Sequence, residues 1–147
     1  MSDSTIPFKI RFENTDPTKP LNFEILLDNV RIFYSDHVSE PVDFTYDIND
    51  EVETDHVLEF VMTSKTVDHT KIDDQGNIVS DAMLGIKLIE FDEIDIFKTF
   101  TENSEYTHDF NGTQPTITEK FYGDMGCNGR VKFKFSTPFY LWLLENM

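Results

Sequence analysis

An acidic turn in the middle of the chain carries the residues best suited to bind a metal ion. The turn reads Asp73-Asp74-Gln75-Gly76-Asn77 and is followed by Asp81. Calcium takes about six to eight oxygens from carboxylates, amides, carbonyls and water, and loops at the end of a β-sandwich can supply them. We therefore predict Asp73, Asp74, Asn77 and Asp81 as calcium ligands. Their spacing does not match an EF-hand, and the alternative is a hairpin turn around Gly76 with solvated acids.

Aromatic side chains next to loops are the second group with binding potential, because flat rings can stack on the faces of sugars. The candidates are the tyrosines and the single tryptophan: Tyr34, Tyr46, Tyr106, Tyr122, Tyr140 and Trp142. Tyr106 and Tyr122 flank loops, and we predict that these two contact a carbohydrate. The alternative for each ring is packing in the core or at a sheet edge.

Histidine and cysteine residues give no signature of catalysis or of a transition-metal site. The four histidines form no HxH or HExxH pattern; they are His37, His56, His69 and His108. Cys127 lies in a glycine-rich segment, but no pattern links it to a base. GxSxG, GxGxxG and P-loop motifs are absent from the sequence. We predict that the chain is not an enzyme; a hydrolase would need a cleft with convergent acids.

Composition limits the classes of partner. Twelve basic and 28 acidic residues among 147 give a formal net charge of −16, which argues against nucleic acid and against anionic membranes because both need a positive face. A basic protein partner or bound cations remain compatible. A single cysteine excludes an internal disulfide, and the start MSDSTIPFKI has no signal-peptide pattern. The length predicts one domain over residues 1–147.

Alternation of apolar and polar residues predicts strands along most of the chain. Phe8, Ile10 and Phe12 alternate with charged residues, and the more continuously apolar run 57–62 is typical of a central strand. A parity shift at Asp28-Asn29 predicts a two-residue hairpin turn, with a bulge as the alternative. We predict an all-β, single-domain sandwich or jelly roll of about eight to ten antiparallel strands, with a short C-terminal helix as one option for the tail 138–144.

Two segments resemble known proteins. The run DHVLEFVMTSKTVDHTKIDDQGNIVSDAMLGIKLIEFDEIDI (residues 55–96) resembles a β-sandwich segment of structural proteins of large tailed phages and a segment of jelly-roll carbohydrate-binding modules, some of them calcium-dependent. The closing TPFYLWLLENM is similar to the ends of such phage proteins. The resemblance implies a virion component, made in the host cytoplasm, that adheres to sugars. No site residue of those families transfers to a position of this chain.

Two functions follow as expectations. The first is a non-enzymatic phage virion protein, a capsid decoration or tail-associated module, whose apolar C-terminal tail docks on other virion proteins or on its own subunits. The second is a free-standing, calcium-dependent carbohydrate-binding or adhesin domain. For the tail itself, docking on a partner and closure of its own core stay open.

Overall fold

The fold is described by a computed structural model that covers residues 5–147, so the first four residues of the predicted domain lie outside it. In chain order the elements are β1 (Thr5–Asn14), β2 (Leu21–Leu27), β3 (Val30–Val38), β4 (Val42–Asn49), β5 (Thr54–Met62), a 3-10 turn (Val67–His69), β6 (Thr70–Ile72), β7 (Ile78–Asp81), β8 (Leu84–Phe91), β9 (Ile94–Asp95), α1 (Phe97–Glu102), β10 (Ser104–His108), β11 (Ile117–Lys120), β12 (Asp124–Met125), β13 (Gly129–Thr137) and α2 (Phe139–Asn146).

The strands form two antiparallel sheets that face each other, and a small hairpin. The first sheet has the order β12-β8-β1-β4, with β9 also paired to β8. The second has the order β11-β10-β13-β5-β2-β3, and β6 pairs with β7 in the hairpin. The predicted all-β sandwich is therefore confirmed. The strand count exceeds the predicted eight to ten because several strands are only two to four residues long.

The central strands owe their positions to apolar side chains. In β1, Phe8, Ile10 and Phe12 are fully buried and alternate with half-buried polar residues, as the period of a strand requires. In β5, every residue from Leu58 to Met62 is buried, and the strand lies between β13 and β2. Both predicted strands are confirmed.

The turn between β2 and β3 is the predicted two-residue hairpin. Asp28 and Asn29 have φ values of 51° and 68°, the left-handed conformation that a tight hairpin with right-handed strand twist requires. A short polar side chain tolerates this conformation better than most. The same geometry recurs between β8 and β9, at Asp92 and Glu93, with φ of 52° and 66°.

Phenylalanine side chains join the two sheets. The Phe12 ring of β1 lies 4.4 Å from the Phe23 ring of β2, and the Phe91 ring of β8 lies 5.2 Å from the Phe135 ring of β13 (centroid distances). Phe100 of α1 packs edge-on against rings of the second sheet. Such pairs stabilise a core beyond the area they bury, by about 0.5–1.5 kcal/mol each.

The C-terminal tail forms the short helix α2. Its inner side closes the core: Phe139 is fully buried and stacks on Phe91 at 4.1 Å, and Leu143 is 8% exposed. Its outer side is apolar and open, with Leu141 and Leu144 exposed. The tail therefore closes the core of its own chain, and docking of its outer side on a partner stays a prediction. No helix within residues 5–147 is both long enough and apolar enough to cross a membrane.

Candidate functional site

Tyr122 stands at the edge of a surface groove beside the short strand β12. Its side chain is 75% exposed, and the Lys120 ammonium lies 5.5 Å from the centre of its ring. The groove has a volume of about 430 Å³ and is lined by Ile86, Lys87, Asp95, Phe97, Tyr122, Gly123 and Asp124. An exposed aromatic ring next to polar side chains is the arrangement expected of a site that binds a small polar ligand.

Local sequence explains why this ring points outward. Phe121 is fully buried, so the next side chain along the extended backbone faces solvent. Gly123 then has φ of +116°, and its carbonyl accepts a hydrogen bond of 2.8 Å from the backbone N–H of Ile86. A Cβ at Gly123 would lie 3.1 Å from the Phe97 ring, so only glycine fits the turn that presents Tyr122.

The polar groups of the groove are two carboxylates and one ammonium. The Asp124 carboxylate lies directly over Gly85, where a Cβ would come within 2.6 Å of Oδ1, and it is 3.9 Å from the Lys87 ammonium. Oδ1 of Asp95 accepts a hydrogen bond of 2.9 Å from the N–H of Phe97. Carboxylates accept hydrogen bonds and an ammonium donates them, so the groove can bond to neighbouring hydroxyl groups while Tyr122 supplies an apolar face.

Tyr106 lies elsewhere, inside the sandwich. It is 6% exposed and packs edge-on against Phe121. Its hydroxyl donates to the carbonyl of Cys127 and accepts a hydrogen bond of 2.9 Å from the N–H of Cys127. Burial raises the pKa of the phenol far above its usual value. This placement corrects the prediction that Tyr106 contacts a sugar, because alternation in β10 turns its side chain into the core.

The predicted calcium ligands are divided between two ends of the β6–β7 hairpin. Oδ1 of Asp73 accepts hydrogen bonds of 2.9 Å from the N–H groups of Gln75 and Asn77, which closes the turn and lowers the pKa of Asp73. Asp81 lies at the open end, opposite Thr70, roughly 10 Å away at 3.3 Å per strand residue. Asp73, Asp74 and Asn77 therefore do not share a site with Asp81.

Asp81 already has partners. Its Oδ1 accepts hydrogen bonds from the Lys65 ammonium at 2.6 Å and from the Thr70 hydroxyl at 2.7 Å. Within residues 5–147, no group of three or more histidine, cysteine, aspartate or glutamate side chains is arranged to hold a metal ion. The four predicted ligands do not fit a shared calcium site in this geometry, because the Asp73 carboxylate accepts hydrogen bonds from the backbone of the turn and the Asp81 carboxylate is paired with Lys65.

One histidine takes part in an arrangement that resembles a catalytic triad. Nδ1 of His56 lies 2.7 Å from Oδ2 of Asp28, and Nε2 lies 3.1 Å from the hydroxyl of Thr137. The Thr137 hydroxyl, however, is buried and donates to the carbonyl of Val52 at 2.6 Å. A hydroxyl that donates its proton to a backbone carbonyl does not donate it to the histidine, as an activated nucleophile must. Asp28, His56 and Thr137 instead link the β2–β3 turn to the start of β5 and the end of β13.

Two further histidines have structural partners, and the cysteine thiol is unreactive. His69 closes the 3-10 turn with Thr66, and its Nε2 lies 2.9 Å from the carbonyl of Pro20. His108 pairs with Glu119 across β10 and β11. Burial is the main reason that the pKa of the Cys127 thiol is raised, so the thiol is in its unreactive protonated form at neutral pH.

Comparison with known proteins supports the architecture. No protein-family profile matches the sequence, and no curated protein is significantly similar to it. The structure is similar to that of vCBM60 in its selenomethionine form, from a study of two families of calcium-dependent carbohydrate binding modules, with a TM-score of 0.54, 8% identity, and coverage of 87% of this chain and 89% of that chain. A structure of vCBM60 in complex with galactobiose aligns with a TM-score of 0.49 and 11% identity, over 86% of this chain and 96% of that chain. At such identities the likeness concerns the fold, a sandwich like that of carbohydrate-binding modules.

Proposed function

We propose that this chain is a non-enzymatic carbohydrate-binding module and that the Tyr122 groove is its binding site. The observation that carries the proposal is the 75% exposed ring of Tyr122 beside the carboxylate and ammonium groups that line the same groove. The similarity of the fold to vCBM60 supports it, because that protein is described as a carbohydrate binding module.

Binding would use the aromatic ring of the groove for stacking and its charged groups for hydrogen bonds. The apolar face of a pyranose ring stacks on Tyr122, as aromatic rings offer a large flat surface with little conformational entropy to lose. Asp95 and Asp124 accept hydrogen bonds from sugar hydroxyls, and Lys87 donates to a ring or hydroxyl oxygen. The volume of about 430 Å³ falls within the usual range for small-ligand sites, so the groove contacts a short segment of a glycan.

A glycan array with the purified protein tests this proposal, and Tyr34 offers a matched control. Tyr34 is also exposed, at 48%, and a cation, Arg31, also lies over its ring, at 4.5 Å. We expect the wild type to bind one class of sugar, Y122A to bind it about tenfold more weakly through loss of the stacking surface, and Y34A to bind like the wild type.

A substitution of Asp124 tests the polar contacts of the groove. D124N keeps the shape of the side chain but removes the charge, and we expect a several-fold loss of affinity with no change in the class of sugar bound. Absence of binding to every glycan, or equal losses in Y122A and Y34A, would show that the groove is not the site.

A second candidate function is a virion structural module, a capsid decoration or tail-associated protein made in the host cytoplasm. Exposed apolar side chains in and directly after α2 favour it: Leu141 and Leu144 of the helix and Met147 after it are 60%, 73% and 82% exposed. Adjacent exposed apolar side chains are typical of an interaction surface, here one between copies of the chain. Sedimentation of the wild type and of the L141Q/L144Q double variant tests it: an oligomer that the substitutions dissociate is expected, and a monomer in both cases contradicts it.

A further inference from the structure

A buried lysine lies at the end of the sandwich where several loops meet. The Lys65 side chain is 2% exposed, and its ammonium donates hydrogen bonds of 2.6 Å to Oδ1 of Asp81 and 2.6 Å to the carbonyl of Gly126. The Thr70 hydroxyl bonds to the same carboxylate oxygen, and the Thr15 hydroxyl donates to the Asp81 carbonyl at 2.8 Å. A buried ammonium surrounded by oxygens resembles a cation in a coordination site.

The backbone around Lys65 is tied to the loop that follows the groove. The N–H of Lys65 donates to Oδ1 of Asn128 at 2.7 Å, and Nδ2 of Asn128 donates to the carbonyl of Lys65 at 2.8 Å. Gly126 directly follows β12, whose residues Asp124 and Met125 pair with Gly85 and Leu84 of β8. Lys65 therefore fixes the C-terminal end of the segment that presents Tyr122 and Asp124.

We propose that the Lys65 ammonium is the permanent cation of this loop end and that it holds the groove segment in place without calcium. Asp81 is the one predicted calcium ligand that lies here, and its Oδ1 already accepts a hydrogen bond of 2.6 Å from the Lys65 ammonium. A calcium ion at Asp81 would have to displace a buried positive charge and still find about six to eight oxygens. Lys65 is thus a positioning residue for the groove, and the part of this inference that concerns glycans rests on the proposed function.

Thermal unfolding of the wild type is the first arm of the test. We expect the same Tm in excess calcium chloride and in excess EGTA, because no calcium is needed to satisfy Asp81. A Tm that falls in EGTA and is restored by calcium, together with stoichiometric calcium binding that D81N abolishes, would overturn the proposal. This arm uses the unmodified chain, so it does not depend on whether any variant folds.

Substitutions of lysine form the second arm. K65M removes the cation and leaves a partly buried carboxylate, and we expect Tm to fall by about 10 °C. K71M is the matched control, because Lys71 is an exposed lysine in the neighbouring strand β6, and its Tm should stay within about 1 °C of the wild type. The K65M/D81N double variant should lose less than the sum of the single losses, since it has no unpaired charge. Equal Tm values for K65M and K71M would overturn the proposal.

Glycan binding provides the third arm. If the wild type binds a glycan, its affinity should be unchanged by EGTA, whereas a loss of about tenfold or more would show that calcium is required and would contradict the inference. Where a glycan is bound, K65M should bind it about tenfold more weakly than K71M at a temperature at which both variants are folded, and equal affinities would show that Lys65 does not position the groove. Failure to bind any glycan counts against the proposed function alone, because the Tm comparisons test the Lys65–Asp81 ion pair and its independence of calcium without a glycan.

Discussion

Replacing Tyr106 with phenylalanine separates a structural role of this residue from a role in binding. The substitution keeps the ring that packs against Phe121 and removes only the hydroxyl. That hydroxyl makes two hydrogen bonds to the backbone of Cys127, one as donor and one as acceptor. The variant therefore leaves one N–H and one carbonyl without their partner.

The expected loss can be worked out from those two groups. A buried polar group left unsatisfied costs about 1–3 kcal/mol, and Cys127 is only partly buried, so each group falls at the low end. The free energy of unfolding should drop by about 2 kcal/mol. For a chain of this size, that corresponds to a decrease in Tm of about 6 °C.

Urea denaturation of Y106F and of the control Y34F provides the measurement. Tyr34 is exposed, so loss of its hydroxyl should change the unfolding free energy by less than about 0.5 kcal/mol. Affinity for any glycan should be the same in Y106F and the wild type. Equal stability of Y106F and Y34F would refute the structural role, and a stable Y106F with weakened glycan binding would restore the prediction that Tyr106 contacts the ligand.

Three further predictions concern the sandwich. F100A removes a fully buried ring that packs edge-on against Phe133, and it should lower the unfolding free energy by about 3–5 kcal/mol in urea titrations; a loss below about 1 kcal/mol would contradict the described core. G129A places a Cβ 2.4 Å from the carbonyl oxygen of Thr107, so the β10–β13 pair must shift and the chain should lose about 1–3 kcal/mol; an unchanged Tm would count against that close approach. Because burial raises the pKa of Tyr106 above the ordinary value of 10.0, its contribution to stability is complete below pH 10 and is lost as the pH rises beyond it; Tm measured against pH should fall less steeply above pH 10 in Y106F than in the wild type.

Sequence patterns predicted the parts of the fold that depend on local chemistry. Alternation in β1 and the tight turn at Asp28-Asn29 were readable because side-chain period and backbone conformation are properties of neighbouring residues. Helix α1 was missed, since six residues between two strands give too little periodicity to distinguish a helix. Pairing of β1 with β8 depends on residues 70 to 83 positions apart and could not be predicted.

The candidate site was only partly accessible to the same reasoning. Tyr122 was identified by its place next to a loop, but Asp95, Lys87 and Asp124 come together through β8 and β12 and have no motif in common. Tyr106 and Tyr122 look alike in sequence, and only the alternation of β10 separates a buried ring from an exposed one. A buried lysine such as Lys65 leaves no signal, because lysine is an unusual core residue and its partner Asp81 is 16 positions away.

The pairing of β5 with β13 has a consequence for how the chain acquires its structure. These two central strands run antiparallel from the Thr54–Thr137 pair to the Met62–Gly129 pair, so a large part of the second sheet requires residues that are 67 to 83 positions apart in sequence. Closing a loop of this length costs conformational entropy before the contacts between the strands can stabilise the sheet. We therefore expect a folding time of about milliseconds to seconds, as is typical of all-β domains. A ribosome adds about 5–20 residues per second, so the N-terminal strands wait several seconds for the strand that completes their sheet. During that interval β5 has an unpaired edge, and the many acidic residues of the chain keep nascent copies apart by charge repulsion.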